Sequence, residues 1–147
     1  MSMKNTLMIA MAGAGLLLAT AVPVVAHHAF GAEFDANRPV LLKGKIVKVE
    51  LVNPHAWIHV EVAKTEGGGT EVWMVEGGTP NTLLRRGITK NTLQIGTDVV
   101  VDGYQSKDRS TRANGRDITF ADGKKLFMGS SGTGAPRDGR DPTEPPK

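Results

Sequence analysis

The sequence predicts an all-β domain, a small OB-like and partly open barrel of five to six strands with one short helix. Apolar and polar residues alternate over several short segments, and glycine-rich turns separate them. A helix-start signal lies between the third and the fourth segment. Five strands with a helix in this position are typical of an OB-type barrel, and closure of the sheet would protect its edges.

Residues 1–26 are typical of a cleavable secretory signal. They contain a basic start at Lys4, an apolar run from Leu7 to Val25 and a small residue, Ala26, before a polar segment. The alternative is an uncleaved membrane anchor, but the apolar run contains a threonine and a proline, and no charge follows it directly. We therefore expect export to the periplasm, with no stable membrane anchor after cleavage.

Cleavage after Ala26 predicts a mature chain of 121 residues, a length typical of one domain. We place this domain at residues 27–128. Residues 129–147 are predicted to form a disordered tail, because they are rich in glycine, proline, serine and charged residues and bury too little apolar surface to fold.

Charge and cysteine content exclude several classes of function. Lys4 is the only charge in the predicted signal, so cleavage lowers the formal net charge from +3 to +2, which is too small to indicate a nucleic-acid partner. The absence of cysteine excludes disulfides, thiolate metal sites and a cysteine nucleophile. Motifs typical of serine hydrolases, zinc proteases and P-loops are also missing, so we predict no catalytic residue and expect a protein that is not an enzyme.

The first strand is predicted over residues 40–52. Leu42 and Ile46 share one face of this strand, whereas Val49 and Leu51 continue the apolar pattern after a phase change of one residue. Such a change predicts a β-bulge or a bend within the strand.

The second strand is predicted over residues 56–62, after a break at Asn53-Pro54. Its residues alternate between a core face and an outer face. The core side chains are Ile58, Val60 and Val62, and the outer ones are Trp57, His59 and Glu61. A run of three glycines predicts a hairpin turn into the third strand, over residues 71–75. Four consecutive side chains of this strand are apolar, so the pattern does not indicate which of its side chains face the core.

A short helix should begin at Thr79, as the N-cap, and Pro80, as the first helical residue. Leu83 and Leu84 are predicted to be its buried side, and Gly87 its end. The remaining elements are a fourth strand over residues 99–105, a polar loop over 106–114, a fifth strand around Ile118 and Phe120, and a final short strand over 125–128.

Five segments carry a resemblance to a known family. They are AHHAF at residues 26–30, LLKGKIVKVE at 41–50, NPHAW at 53–57, TPNTLLRRG at 79–87 and IGTDVVVDGY at 95–104. With these segments the chain resembles a family of exported bacterial proteins of unknown function, the domain of unknown function 6152, over nearly all of residues 26–128. The resemblance implies a cleaved signal and a small OB-like β-barrel. It does not imply any particular activity.

The predicted mature N-terminus is a candidate copper site. Cleavage before His27 would place a free α-amine and an imidazole on one residue, and these two nitrogens can chelate one metal ion, with Cu(II) favoured in the divalent affinity order. Their reference pKa values are about 7.7–8.0 and about 6.5, so removing both protons near neutral pH requires little free energy. His28 or a histidine of the folded domain would complete the site. The alternative is a solvated chain end, as at most termini.

His55 and His59 are not predicted to chelate one metal together. Four residues of a β-strand span about 13 Å, which is too far for two nitrogens that each bind zinc at about 2.0 Å. Of the two, we favour His55 as the partner of His27 and His28, because it follows the Asn53-Pro54 corner. The alternative for His55 is a hydrogen-bonded histidine at the rim.

The outer face of the second strand is the predicted ligand surface. It carries Trp57, His59 and Glu61, and Trp73 would join them if the third strand faced the same way. The alternative is the ordinary partial burial of an aromatic side chain. We expect an exported binding or accessory module that holds an envelope protein, a glycan or a small ligand. The alternative function is a copper-binding protein that uses His27.

Overall fold

The computed structural model describes residues 30–129. The predicted signal, His27, His28 and the predicted tail beyond Gly129 lie outside these residues. The elements, in chain order, are α1 (Phe30–Glu33), β1 (Phe34–Leu51), β2 (Ala56–Ala63), β3 (Thr70–Glu76), α2 (Pro80–Arg85), β4 (Asp98–Ser106), β5 (Arg112–Phe120) and β6 (Lys125–Phe127). Within residues 30–129, neither helix has the length and apolar character needed to cross a bilayer.

The six strands form one sheet in the order β3-β2-β1-β4-β5-β6. A parallel pairing of Met74–Glu76 with Arg112–Asn114 also joins β3 to β5, so the first five strands form a closed ring of hydrogen-bonded neighbours. All other strand pairs are antiparallel. The predicted all-β class and strand number are confirmed, and the OB-type assignment stays a prediction.

β1 is the longest strand and pairs with both β4 and β2. Its register against β2 shifts between Ile46 and Lys48, which confirms the predicted bulge. The strand begins at Phe34, six residues before the predicted start. The prediction was too short because this part of the strand is mostly polar or exposed, apart from Phe34 itself, which is buried and pairs with Ser106.

The core lies on the face of the sheet that the alternation in β2 predicts. Ile58, Val60 and Val62 are buried there, and Val60 pairs with Trp73 of β3. Residues opposite one another on antiparallel strands project to the same face, so Trp73 belongs to the core face. The largest fully buried apolar side chains are Ile46, Ile58, Leu83, Ile88, Ile118 and Met128.

α2 begins as predicted, with the Thr79 hydroxyl accepting a hydrogen bond from the Thr82 amide at 3.2 Å. Gly87 follows the helix with a φ of 82°, a conformation that glycine adopts without a Cβ penalty. Leu83 is fully buried, whereas Leu84 is 59% exposed, so the prediction that both are buried is wrong. A six-residue helix has fewer than two turns, and adjacent side chains point about 100° apart around it.

The loop between β4 and β5 is shorter than predicted, because Arg112, Ala113 and Asn114 belong to β5 and pair with β3. Asp108 organises the loop that remains. Its carboxylate accepts hydrogen bonds from the Ser106 hydroxyl at 2.6 Å and from the Ser110 amide at 3.0 Å.

These hydrogen bonds, first that from Ser106 and then those from Ser110, lower the pKa of Asp108 from 3.8 to about 2. Because the pKa is lower in the folded chain, the ionised carboxylate stabilises the fold above about pH 4, and this contribution is lost as the pH falls through about 2. A carboxyl chemical-shift titration of Asp108 should give a midpoint near 2. Ser106→Ala should move the midpoint upward, and an unchanged midpoint would contradict this assignment.

Candidate functional site

A cleft of about 500 Å³ opens where β1 ends, β2 begins, β3 ends and β5 begins. Charged and polar side chains converge on it from β1, β3 and β5, from α1 and from the segment between β1 and β2. The polar lining consists of Glu33, Glu50, Asn53, His55, Glu76 and Arg112, and the less polar lining of Val52, Pro54, Trp57 and Met74.

Strand register explains this convergence. Glu50 of β1 pairs with Trp57 of β2, Trp57 pairs with Glu76 of β3, and Glu76 pairs with Asn114 of β5. Their chain neighbours Ile58, Val75 and Ala113 belong to the core, so this row projects to the opposite face of the sheet. We call Glu50, Trp57, Glu76 and Asn114 the outer row.

Glu50 is held as a carboxylate at one end of the outer row. It accepts hydrogen bonds from Lys48 Nζ at 2.9 Å and from His59 Nε2 at 2.7 Å. The hydrogen bond from Lys48, followed by that from His59, lowers the pKa of Glu50. A carboxylate only accepts hydrogen bonds, so His59 Nε2 carries the proton.

His55 has one ring nitrogen fixed by the backbone. Its Nδ1 lies 3.3 Å from the carbonyl oxygen of Gly77 and 3.6 Å from Oε1 of Glu76. A carbonyl only accepts, so Nδ1 carries the hydrogen, and in the neutral imidazole Nε2 holds the lone pair. Metal-binding histidines are usually oriented in this way, with one ring N–H donating to a carbonyl or a carboxylate.

Arg112 lines the cleft from the start of β5. The Cζ atom of its guanidinium lies 5.3 Å from the centre of the Trp57 ring, within the range of a cation–π interaction. Its Nη2 lies 3.5 Å from Oε2 of Glu33. The side chain thereby connects α1, β2 and β5 at the cleft.

Asn114 is 1% exposed, and neither its Nδ2 nor its Oδ1 has a hydrogen-bond partner. An unpaired buried polar group costs about 1–3 kcal/mol, so such groups are rare and call for an explanation. Asn114 lies beside Glu76 in the outer row and two residues from Arg112, both of which line the cleft, but Asn114 itself does not line it.

The structure separates the residues that the sequence predicted as ligand-binding. Trp57 lines the cleft, whereas His59 is 9% exposed, does not line it and contacts it through Glu50. Glu61 is exposed farther along β2. Trp73 faces the core and donates a hydrogen bond from Nε1 to Glu71 at 2.9 Å, so it does not join the outer face.

Of the residues predicted to bind metal, His55 lines the cleft, and His27 and His28 lie outside the described residues. Across residues 30–129, no three histidine or acidic side chains are grouped so that they could hold a metal ion by themselves. The sequence analysis missed Glu50, Glu76 and Arg112 as members of one site. Their strand pairings bring them together, and no local motif marks them.

A model of the family of unknown function DUF6152 matches residues 14–115. The chain belongs to this family. The match covers more than two thirds of the sequence, including every residue that lines the cleft, and it confirms the family that the sequence motifs indicate. No curated protein and no solved structure matches the chain.

Proposed function

We propose that this protein is an exported, periplasmic binding module without catalytic activity, and that the cleft is its ligand site. The convergence of Glu50, Glu76 and Arg112 on one cleft beside the Trp57 ring is the observation on which the choice of this site depends.

The size and lining of the cleft favour a small ligand over a protein or a glycan. Ligand sites typically occupy about 300–1,000 Å³ and combine an apolar wall with a few convergent polar groups. Trp57 and Pro54 supply such a wall, and Arg112 and Glu76 supply groups of opposite charge. This lining fits a small molecule that itself carries both polar donors and acceptors.

A thermal-denaturation screen of amino acids, small sugars and organic acids tests this proposal. A ligand of the cleft should raise the melting temperature of the wild-type protein, because ligands that bind only the folded state stabilise it. Arg112→Gln should abolish the shift. Lys45→Gln is the matched control, because it also removes one positive charge but breaks only an exposed ion pair with Asp98.

The proposal fails if Arg112→Gln and Glu76→Gln both leave every ligand-induced shift unchanged. It also fails if a defined substrate is turned over and the turnover is lost in either variant, because the protein would then be an enzyme.

A second candidate function is copper binding through His27. The orientation of His55 favours it, because the Gly77 carbonyl holds Nδ1 and leaves Nε2 as a potential ligand nitrogen. The protein with its native N-terminus, confirmed by intact mass, should bind Cu(II) with an EPR spectrum typical of nitrogen ligands. His27→Ala, or one additional residue before His27, should weaken binding and change the spectrum. If both variants leave them unchanged, this candidate fails.

A further inference from the structure

We infer that the cleft binds an α-amino acid with an apolar side chain, held by its carboxylate at Arg112 and by its ammonium group at Glu76. The inference rests on the proposed function above and adds the chemical class of the ligand and the orientation in which it binds.

Arg112 is suited to bind the carboxylate of a ligand. Its Cζ atom lies 5.3 Å from the centre of the Trp57 ring, and its Nη2 lies 3.5 Å from Oε2 of Glu33. A guanidinium carries five N–H donors in a planar fork, so these contacts leave donors for a ligand. Contact with an aromatic ring limits the motion of the fork, and a fork of this kind matches a carboxylate with two parallel hydrogen bonds.

Glu76 and His55 supply acceptors for a positively charged group. The Glu76 side chain is 11% exposed, and a carboxylate has about four lone-pair directions, so it can accept a hydrogen bond from a ligand in addition to its contacts within the protein. His55 donates from Nδ1 to the Gly77 carbonyl, so in the neutral ring Nε2 can also accept. An ammonium group has three donors and can bond to both residues.

The spacing of Arg112 and Glu76 suits a ligand that carries both charges on one carbon atom. Arg112 pairs with Met74, which lies two residues before Glu76 on the same face of β3. Two strand residues rise about 6.6 Å and neighbouring strands lie about 4.8 Å apart, so the two Cα atoms are about 8 Å apart. Both side chains line the same cleft. A ligand between them therefore has its opposite charges close together, as an α-amino acid does.

The charge balance of the lining disfavours ligands with a single charge. Glu33 and Glu50 add two carboxylates to that of Glu76, so an organic acid without an ammonium group would be repelled by all three. An amine without a carboxylate would make no use of the Arg112 donors. A zwitterion satisfies both sides of the cleft.

The apolar part of the lining favours an apolar side chain on the ligand. It consists of Val52, Pro54 and Met74, which lie around the charged groups and offer no hydrogen bonds from their side chains, apart from weak acceptance by the Met74 sulfur. A polar or charged ligand side chain placed against them would lose water without gaining a partner.

Isothermal titration calorimetry of the wild-type protein with leucine and two analogues of the same side chain tests the inference. Isocaproate lacks the ammonium group, and isoamylamine lacks the carboxylate. We expect leucine to bind at least about tenfold more tightly than either analogue, because each analogue loses a set of charge-assisted hydrogen bonds. Phenylalanine, hydrocinnamate and phenethylamine form a second series with a larger apolar side chain.

Two substitutions assign each charged group of the ligand to its partner. Arg112→Gln should weaken leucine binding at least about tenfold without weakening that of isoamylamine, which has no carboxylate. Glu76→Gln should weaken leucine binding without weakening that of isocaproate, which has no ammonium group. Glu61→Gln is the matched control for Glu76→Gln, because it removes an exposed carboxylate of β2 that does not line the cleft. It should keep all three affinities, and thermal melting without ligand establishes that the variants are folded.

The possible failures of the inference and of the proposed function can be distinguished. In the wild-type protein, an analogue that binds as tightly as its parent amino acid overturns the inference. A sugar or an organic acid whose stabilising effect is lost in Arg112→Gln, together with no binding of leucine or phenylalanine, overturns the inference alone and leaves the cleft as a ligand site. Ligand-induced shifts that persist in both Arg112→Gln and Glu76→Gln overturn the proposed function and this inference with it.

Discussion

Leu83→Ala is expected to destabilise the protein by about 2–5 kcal/mol, the usual cost of truncating a fully buried leucine. Leu83 is the buried side chain of α2 and belongs to the core cluster. Its removal would leave a cavity, because a helix whose N-terminus is fixed by the Thr79 cap cannot move freely to fill the space. Urea denaturation followed by circular dichroism measures the change.

Leu84→Ala is the matched control for this prediction. It makes the same chemical change at the next residue of the same helix, but Leu84 is mostly exposed. Its effect on the free energy of unfolding should stay within about 0.5 kcal/mol. Equal destabilisation by the two substitutions would show that the structure assigns the buried side of α2 incorrectly.

Gly44→Ala is expected to lower the free energy of unfolding by about 3 kcal/mol, the upper end of the usual range for overpacking. A Cβ atom at this position would lie 1.9 Å from the backbone carbonyl oxygen of Glu61, and a backbone atom cannot rotate away as a flexible side chain can. Gly44 also pairs with Val62 on one side and with Val99 on the other. Relief of the clash would therefore disturb both neighbours of β1, and the melting temperature should fall by several degrees.

Gly31→Ala provides the comparison. A Cβ atom there would meet no other atom within 4 Å, and alanine is more favourable than glycine within a helix. We expect its melting temperature to equal or slightly exceed that of the wild-type protein. A Gly44→Ala variant as stable as Gly31→Ala would contradict the close pairing of β1 and β2.

Local patterns were sufficient to predict most strands, the bulge in β1 and the start of α2. Period-two alternation identifies the core face of β2, and the Thr79-Pro80 pair fixes the helix N-terminus wherever the helix packs. The same patterns failed at Trp73, which sits among four apolar residues and therefore has no alternation to orient it. Its pairing with Val60 determines that its side chain lies on the core face of the sheet.

The cleft was predicted only in part, because pairing between distant segments creates it. His55 and Trp57 follow the Asn53-Pro54 break, and this break marks them as residues near a strand end. Glu76 and Arg112 carry no such signal. They come together through the parallel pairing of β3 with β5, which the polar sequence around Arg112 gave no reason to expect.

The pairing of β3 with β5, which closes the ring of five strands, determines how the cleft would respond to a bound ligand. Three residue pairs join β3 to β5, between segments 38 positions apart in the chain, and both segments contribute to the cleft wall. A ligand that contacts both Glu76 and Arg112 would link β3 to β5 through their side chains, in addition to the backbone pairing. The backbone amide hydrogens of residues 74–76 and 112–114 should then exchange with solvent more slowly, and the exchange rate should fall further as more of the protein binds ligand.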